Sequence, residues 1–124
     1  MLLVNDEPMN LMIMEHLFTS NQTNVSRSNN GHDAYVQSMA FQFDIIIMDL
    51  EMPVMNGYES TIKIKKYYQD SQFPYIVAFT SNELTEELIA KLRGSRFDDW
   101  FTTPVTQQVI QSGIIDRCLQ MRDG

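Results

Sequence analysis

Carboxylate and hydroxyl side chains follow three apolar runs of this 124-residue chain. Asp6 lies shortly after the first run, Asp49 directly after Ile45–Met48, and Thr80 directly after the run 75–79. Two carboxylates that meet repel each other, and a hard divalent cation such as Mg²⁺ relieves the repulsion by taking oxygen ligands. A carboxylate can also act as a nucleophile and carry an aspartyl-phosphate, to which a nearby hydroxyl can donate. If the fold gathers them, these residue types predict a magnesium-dependent phosphoryl site.

The segment from Phe43 to Gly57 holds the strongest of these signals. Its run Ile45–Met48 is continuous, mostly β-branched and without alternation, which is typical of a parallel strand that is covered on both faces. Pro53 and an Asn-Gly pair at the end of the segment break regular structure soon afterwards. Asp49 is therefore predicted at the carboxyl end of a strand beside a loop, which is the edge at which open α/β sheets bind ligands.

Strand and helix patterns alternate along the whole chain. Short runs predict five strands, within residues 1–4, 24–28, 45–48, 75–79 and 98–102. Helical spacing predicts five helices, one from Pro8, one through Ala34 and Met39, one through Ile62 and Ile64, one over Glu83–Arg93 and one from about Thr106. Strict alternation with short connections implies right-handed crossovers and helices on both faces. The predicted fold is a doubly wound, five-stranded parallel α/β sheet, a flavodoxin-like three-layer α/β/α sandwich of (βα)5 type, with residues 1–124 as a single domain.

Composition excludes several classes of function. Nine Lys and Arg against 16 Asp and Glu give a formal net charge of −7, which argues against a nucleic-acid or anionic-membrane surface. Cys118 is the single cysteine, so an intrachain disulfide and a Cys-based zinc cluster are excluded and a reducing compartment is favoured. No apolar run approaches membrane-spanning length. We therefore expect a cytoplasmic, intracellular domain, whose parent protein could still be membrane-anchored.

Four motifs, in order, resemble those of the receiver (response-regulator) domain of two-component phosphorelays. They are V-N-D-E-P after the first strand, D-L-E-M-P-V-M-N-G after the third, A-F-T-S at the fourth and D-D-W-F-T-T-P-V at the last, so the resemblance covers essentially the whole chain. It implies that Asp49 is the phosphoacceptor, which takes its phosphoryl group from a histidine kinase or a histidine phosphotransfer protein. Asn10 matches an Asn that is often found in the receivers of hybrid histidine kinases.

The resemblance also implies roles for the residues around Asp49. Asp6, Asp49 and the backbone carbonyl of Glu51 would hold Mg²⁺, and Thr80 would be the switch hydroxyl. Trp100 would occupy the switch-aromatic position; the alternative is that Trp100 only packs in the core. Such a domain is a signalling module rather than an enzyme, since it catalyses at most its own phosphorylation and dephosphorylation.

Two positions depart from the family pattern. Asn5 stands where the family usually has an acid, which leaves it as a weak metal ligand, and Thr103 stands where a Lys usually reaches the phosphate. The usual site carries three acids and one Lys, net −2, whereas this one carries two acids and no Lys, also −2. We hypothesise that the substitutions compensate in charge but weaken both Mg²⁺ binding and the coupling between phosphorylation and conformational change.

Several other residues are interpreted as structural. His16 and His32 are predicted at exposed positions, because neither has a second ligand at metal spacing. Lys63, Lys65 and Lys66 are predicted to form an exposed, solvated face. The nine methionines are predicted to be mostly core filler, since Met suits irregular gaps.

Other functions stay open at this point. A degenerate receiver would bind partners without being phosphorylated, as the departures at Asn5 and Thr103 allow. A haloacid-dehalogenase-like phosphatase also uses an aspartate after a strand, but it requires a second Asp where this chain has Glu51, together with a cap and a longer chain. An FMN-binding flavodoxin would need a Ser/Thr/Gly phosphate loop where N-D-E-P lies. Whether the domain is free-standing or part of a hybrid kinase is also open.

Overall fold

Strands and helices alternate in the structure as the sequence predicts. The elements are β1 (Leu2–Val4), α1 (Pro8–Thr19), β2 (Ser26–Ser28), α2 (Gly31–Ala40), β3 (Ile45–Asp49), α3 (Gly57–Tyr67), β4 (Tyr75–Thr80), α4 (Glu86–Gly94) and β5 (Asp99–Thr102). The strands form one parallel sheet in the order β2-β1-β3-β4-β5. The computed structural model describes residues 1–19, 24–52, 54–69, 71 and 73–102, so Thr103, Cys118 and the predicted last helix lie outside the described residues. The predicted α/β fold is confirmed.

Helices cover both faces of the sheet. On one face α1 packs against the strands through a buried cluster that includes Leu3, Leu11, Met14, Ile45 and Ile47. On the other face α2, α3 and α4 contribute to a second cluster that includes Val4, Ala34, Ile46, Met48, Ile64 and Leu92. Successive residues of β3 therefore enter opposite clusters, because side chains alternate along a strand. Burial on both sides explains why the apolar run of β3 is continuous.

Polar side chains fix the starts of three helices. The side-chain oxygens of Asn30, Asn56 and Thr85 each accept a hydrogen bond from the backbone N–H three residues on, at 2.7, 2.9 and 3.1 Å. Each bond satisfies an N–H group that has no partner within the first helical turn. The caps at Asn30 and Asn56 set where α2 and α3 begin, at the edge of the sheet where Asp49 lies.

The predicted start of the fourth helix is wrong. A helix was expected over Glu83–Arg93, but α4 spans Glu86–Gly94 because Thr85 serves as its N-cap. The two acids of its first turn, Glu86 and Glu87, still lie where the helix dipole favours negative charge. The first, second and last strands also begin one or two residues later than predicted.

The three lysines of α3 do not form a uniform solvated face. Lys63 and Lys66 are exposed as predicted, whereas the side chain of Lys65 is only 5% exposed. The Lys65 ammonium lies 2.6 Å from the Asp98 carboxylate and donates to a backbone carbonyl at 3.0 Å. The same Asp98 oxygen accepts the N–H of Ile76 at 2.7 Å. This ion pair ties α3 to the beginnings of β4 and β5, at the end of the sheet away from Asp49.

The apolar residues of α1 are divided between core and surface. Met14 is buried, but Met9 and Met12 are 72% and 66% exposed, so these two are not core filler. His16 on the same helix is exposed, as is His32 on α2, and both predictions of exposure are confirmed. Among the residues that the structure describes, no helix is both long enough and apolar enough to cross a bilayer.

Candidate active site

The polar ends of three strands meet at one edge of the sheet. The last residue of β1 pairs with the residue before Asp49, so Asn5 reaches the level of Asp49, and Asp6 follows it. Asp49 itself pairs with the residue before Thr80. Because neighbouring parallel strands end at the same edge, Asp6, Asp49 and Thr80 are gathered there as the alternation predicted.

The carboxyl group of Asp49 is held in an unfavourable environment for its charge. Burial at the sheet edge, followed by the negative charge of Asp6, raises its pKa from 3.8 to about 6. The charge of Glu51 also contributes to the rise of this pKa, while hydrogen bonds from the backbone of Leu50 and Glu51 act in the opposite direction. The carboxylate of Asp49 thus lacks a full counter-charge, and a cation between it and Asp6 would stabilise the charged form.

Asn5 supports the turn between β1 and α1. Its side chain is buried, its Oδ1 accepts the N–H of Glu7 at 2.9 Å, and its Nδ2 lies 4.0 Å from the Met14 sulfur. Its backbone N–H donates to the Ser28 carbonyl at 3.1 Å. An amide oxygen that closes a turn onto the N–H two residues on is the usual Asx arrangement. Asn5 therefore lies beside the site but adds no charge to it.

Thr80 lies buried at the end of β4, with 6% of its surface exposed. Its Oγ1 accepts the N–H of Asn82 at 3.0 Å. Because the hydroxyl oxygen acts as the acceptor in that bond, its hydrogen can still be donated to an anion at the sheet edge.

Close backbone contacts hold the loop that follows Asp49. The N–H of Gly57 donates to the Leu50 carbonyl at 2.9 Å, and a Cβ on Gly57 would lie 2.1 Å from the Asp49 carbonyl oxygen. The N–H of Gly31 donates to the Met55 carbonyl at 3.0 Å, and a Cβ there would lie 2.1 Å from that oxygen. Neither position has room for a side chain, so the start of α3 is fixed against the backbone of Asp49.

The two glycines are site-supporting residues that the sequence reasoning missed. In the sequence, the Asn-Gly pair at 56 and 57 indicates only a break in regular structure, and no residue near Gly31 indicates its contact with Met55. The Ser60 hydroxyl adds to this support, since it donates to the Gly31 carbonyl at 2.8 Å across the α2–α3 contact. A glycine at the first position of two neighbouring helices was the available signal.

Trp100 lies on β5, half-buried and opposite Ala78 of β4. Thr80 is two residues beyond Ala78, so Trp100 and Thr80 share one face of the sheet, with Trp100 farther from the edge. The guanidinium of Arg93 lies 5.6 Å from the centre of the indole ring. Thr103, where the family usually has a Lys, is outside the described residues.

The donors at this edge suit a hard cation. Asp6 is exposed, Asp49 is half-buried, and Glu51 follows in the loop, so carboxylate and carbonyl oxygens are the ligands on offer. Within the described part of the chain no three His, Cys, Asp or Glu side chains form a metal-binding group. An ion here would depend on two carboxylates, a backbone oxygen and waters, which is how Mg²⁺ is commonly held.

A comparison with protein families identifies the domain. The family model of the response regulator receiver domain matches residues 1–115. The chain belongs to that family. As a receiver domain it is a module of two-component signalling, and the resemblance seen in its four motifs is confirmed. Mg²⁺ in the active site and phosphoaspartate are typical of the family.

Individual relatives agree with this assignment. Protein PilH of Pseudomonas aeruginosa is 27% identical over 109 residues, which is 88% of each chain. The sensor histidine kinase GacS of Pseudomonas protegens is 30% identical over 117 residues, which is 92% of this receiver domain but only 12% of GacS. A solved receiver domain of a sensor histidine kinase from Pseudomonas aeruginosa, with a magnesium ion coordinated in its active-site cleft, is 26% identical. It superposes with a TM-score of 0.84, over 96% of this chain and 95% of the other.

Proposed function

We propose that this receiver domain is a phosphoacceptor in a His-Asp phosphorelay. Asp49 takes a phosphoryl group from the phosphohistidine of a partner, and the added charge changes the interaction surface of the domain. The observation that carries the proposal is the raised pKa of Asp49 beside Asp6 at the carboxyl edge of the sheet. The repulsion between these two carboxylates destabilises the folded domain. Binding of a cation, and of a phosphoryl group that the nearby buried hydroxyl contacts, would offset that destabilisation.

Each part of the reaction has a candidate group. A carboxylate oxygen of Asp49 forms a bond to phosphorus while the bond between phosphorus and the donor imidazole breaks, so the donor histidine is the leaving group. Asp6, Asp49 and the backbone carbonyl of Glu51 would hold Mg²⁺, which would offset the charge of the phosphoryl oxygens. The hydroxyl of Thr80 donates to one of those oxygens.

Trp100 is the proposed site at which phosphorylation is sensed. Thr80 and Trp100 share a face of the sheet, so a movement of the hydroxyl towards the phosphoryl group changes the space beside the indole ring. The contact with Arg93 places that ring against the surface of α4. On this proposal the domain acts as a switch, which catalyses at most its own phosphorylation and dephosphorylation.

The substitutions at Asn5 and Thr103 are proposed to compensate in charge. The Oδ1 of Asn5 already accepts the N–H of Glu7, so it contributes less to a metal site than a free carboxylate would. A double-mutant cycle with Asn5→Asp and Thr103→Lys tests this, with Mg²⁺ affinity followed by the fluorescence of Trp100, the single tryptophan, and phosphoryl uptake followed by mass. Coupling between the two changes supports compensation, and strictly additive effects remove the case for it.

A degenerate receiver is the second candidate. The engagement of Asn5 with Glu7 favours it, because the site then has one carboxylate fewer than usual and a neutral side chain tied into a turn. Such a domain would bind partners through the same surfaces without carrying phosphate at Asp49.

The partner is proposed to be a histidine kinase or a histidine phosphotransfer protein that contacts α1. The donor imidazole must approach Asp49, and Asp6 at the mouth of the site lies only two residues before α1 begins. The outer face of α1 then continues from the site as an apolar surface formed by Met9, Met12 and Ile13, each more than half exposed. A donor seated over the sheet edge would cover that face.

Acetyl phosphate with Mg²⁺, followed by intact mass, separates the two candidates. A phosphoacceptor gains the mass of one phosphoryl group, and the gain disappears in Asp49→Asn and when Mg²⁺ is chelated. A degenerate receiver gains no mass under conditions that label an ordinary receiver run in parallel. The outcome against the main proposal is therefore an unlabelled protein beside a labelled control.

A further inference from the structure

Two methionines of this domain are much more exposed than those of its core. Met14, Met48 and Met52 are buried, at 5%, 0% and 9% exposure. Met9 and Met12 are 72% and 66% exposed, the highest values among the methionines that the structure describes. Methionine is usually a buried residue, so two open thioethers on one helix of a small domain call for an explanation.

The two exposed methionines belong to one continuous surface of α1. Residues 9, 12, 13 and 16 follow helical spacing and line a single shallow depression of about 350 Å³. Leu11 and Met14 point to the opposite side, into the buried cluster beneath the helix. The surface begins three residues after Asp6, and Met9 is the second residue of α1. The exposed surface therefore begins next to the mouth of the candidate active site and continues along α1.

The chemistry of a thioether makes this surface modifiable. A hydroperoxide transfers one oxygen to the sulfur as its O–O bond breaks, so the sulfur loses two electrons and the peroxide is reduced to water or an alcohol. The product, methionine sulfoxide, is polar and strongly hydrated where the thioether was apolar, and reductases reverse the change. Susceptibility follows exposure, so the thioethers at 9 and 12 meet a dissolved oxidant before those at 14, 48 and 52 do.

We propose that Met9 and Met12 form an oxidation-sensitive site, at which conversion to sulfoxides by a hydroperoxide slows acceptance of the phosphoryl group from a protein donor. The inference rests on the proposed function, because it takes the face of α1 as the surface that the phosphohistidine partner covers. Burying a sulfoxide in an apolar contact leaves its oxygen without the hydrogen bonds that water supplied. The reacting groups themselves, Asp49 and Thr80, are untouched by the modification.

Two phosphoryl donors distinguish this inference from the function on which it rests. Acetyl phosphate is a small molecule that needs no contact with α1, whereas a histidine phosphotransfer domain that phosphorylates the untreated protein must dock. After treatment with hydrogen peroxide, peptide mass mapping should find sulfoxide at positions 9 and 12 before positions 14, 48 and 52. Transfer from the protein donor should then be roughly tenfold slower, while uptake from acetyl phosphate with Mg²⁺ stays the same. A methionine sulfoxide reductase should restore transfer.

Matched variants assign the effect to the two residues. The double variant Met9→Leu with Met12→Leu keeps an apolar, helix-favouring surface without sulfur. Its rate of transfer from the protein donor, whatever its value before treatment, should therefore be the same after peroxide as before it. Met39→Leu changes a methionine of α2, on the opposite face of the sheet. Its phosphoryl transfer should remain as sensitive to peroxide as that of the protein without substitutions. Equal transfer rates before and after oxidation would overturn the inference, as would undiminished sensitivity in the double leucine variant. Loss of acetyl phosphate uptake in the untreated protein would instead overturn the proposed function.

Discussion

Replacing Asp49 by Asn is expected to stabilise the metal-free domain at neutral pH. Burial and the charge of Asp6 raise the pKa of Asp49 from 3.8 to about 6, so the folded protein holds this proton more tightly than the unfolded chain does. A raised carboxyl pKa destabilises the folded state wherever the group must be charged. Asn has nearly the same shape and removes that charge.

The magnitude follows from the size of the pKa change. About two pH units at 1.36 kcal/mol each give an upper value of ~3 kcal/mol. Asp49 is only half-buried, so solvent screening reduces this, and we expect Asp49→Asn to raise the free energy of unfolding by about 1–2 kcal/mol at pH 7. The gain should fade as the pH falls below 3.8, because Asp49 then becomes protonated in the unfolded chain as well as in the folded protein, and it should develop as the pH rises through the interval from 3.8 to about 6.

Urea unfolding of both proteins, in the presence of a chelator and at pH values from about 3.5 to about 8, measures this difference directly. Asp6→Asn provides a graded comparison, because it removes the second cause of the pKa change and leaves the larger one, burial. It should therefore stabilise the domain less than Asp49→Asn. A difference that is independent of pH, or an Asn variant that is less stable at pH 7, would refute the electrostatic reasoning.

Three further substitutions test individual backbone and side-chain contacts of the domain. Val54→Gly should raise the free energy of unfolding by ~0.5–1 kcal/mol, because Val54 has a φ of 72°, which suits glycine but strains a β-branched residue. Gly57→Ala should lower it by ~2–3 kcal/mol, since the new Cβ would meet the Asp49 carbonyl oxygen at 2.1 Å and the helix start must shift. Lys65→Met should cost ~2–4 kcal/mol, because it leaves the Asp98 carboxylate without its cation. Chemical unfolding measures all three, and a neutral result at either of the last two would contradict the contacts described here.

The strands and the gathering of polar residues were predictable because their signals are local. The runs of β3 and β4 are continuous and apolar, and parallel strands that alternate with helices must end at one edge, so Asp49 and Thr80 had to be neighbours. Family motifs then supplied the roles that no local pattern contains.

Other features depend on distant partners or on small local choices. The residues that surround Lys65 in the sequence do not indicate that its ammonium group would be buried, because its partner Asp98 lies far along the chain. The inner face of α1 was ambiguous, because Met and Ile residues occur all around that helix and hydrophobic spacing alone could not show that Met9 and Met12 face outwards. The start of α4 was misplaced because acids are favourable both at Glu83 and inside the first turn, and the capping bond of Thr85 decides between them.

The central claim is that Asp49 carries the phosphoryl group, and trapping the acyl phosphate tests it most directly. The protein is treated with acetyl phosphate and Mg²⁺, then with borohydride, which reduces an aspartyl-phosphate to homoserine, and the peptides are sequenced by mass spectrometry. Homoserine at position 49, and its absence when Mg²⁺ is withheld, is the predicted result. Homoserine at another aspartate, or none beside a labelled control receiver, would contradict the account.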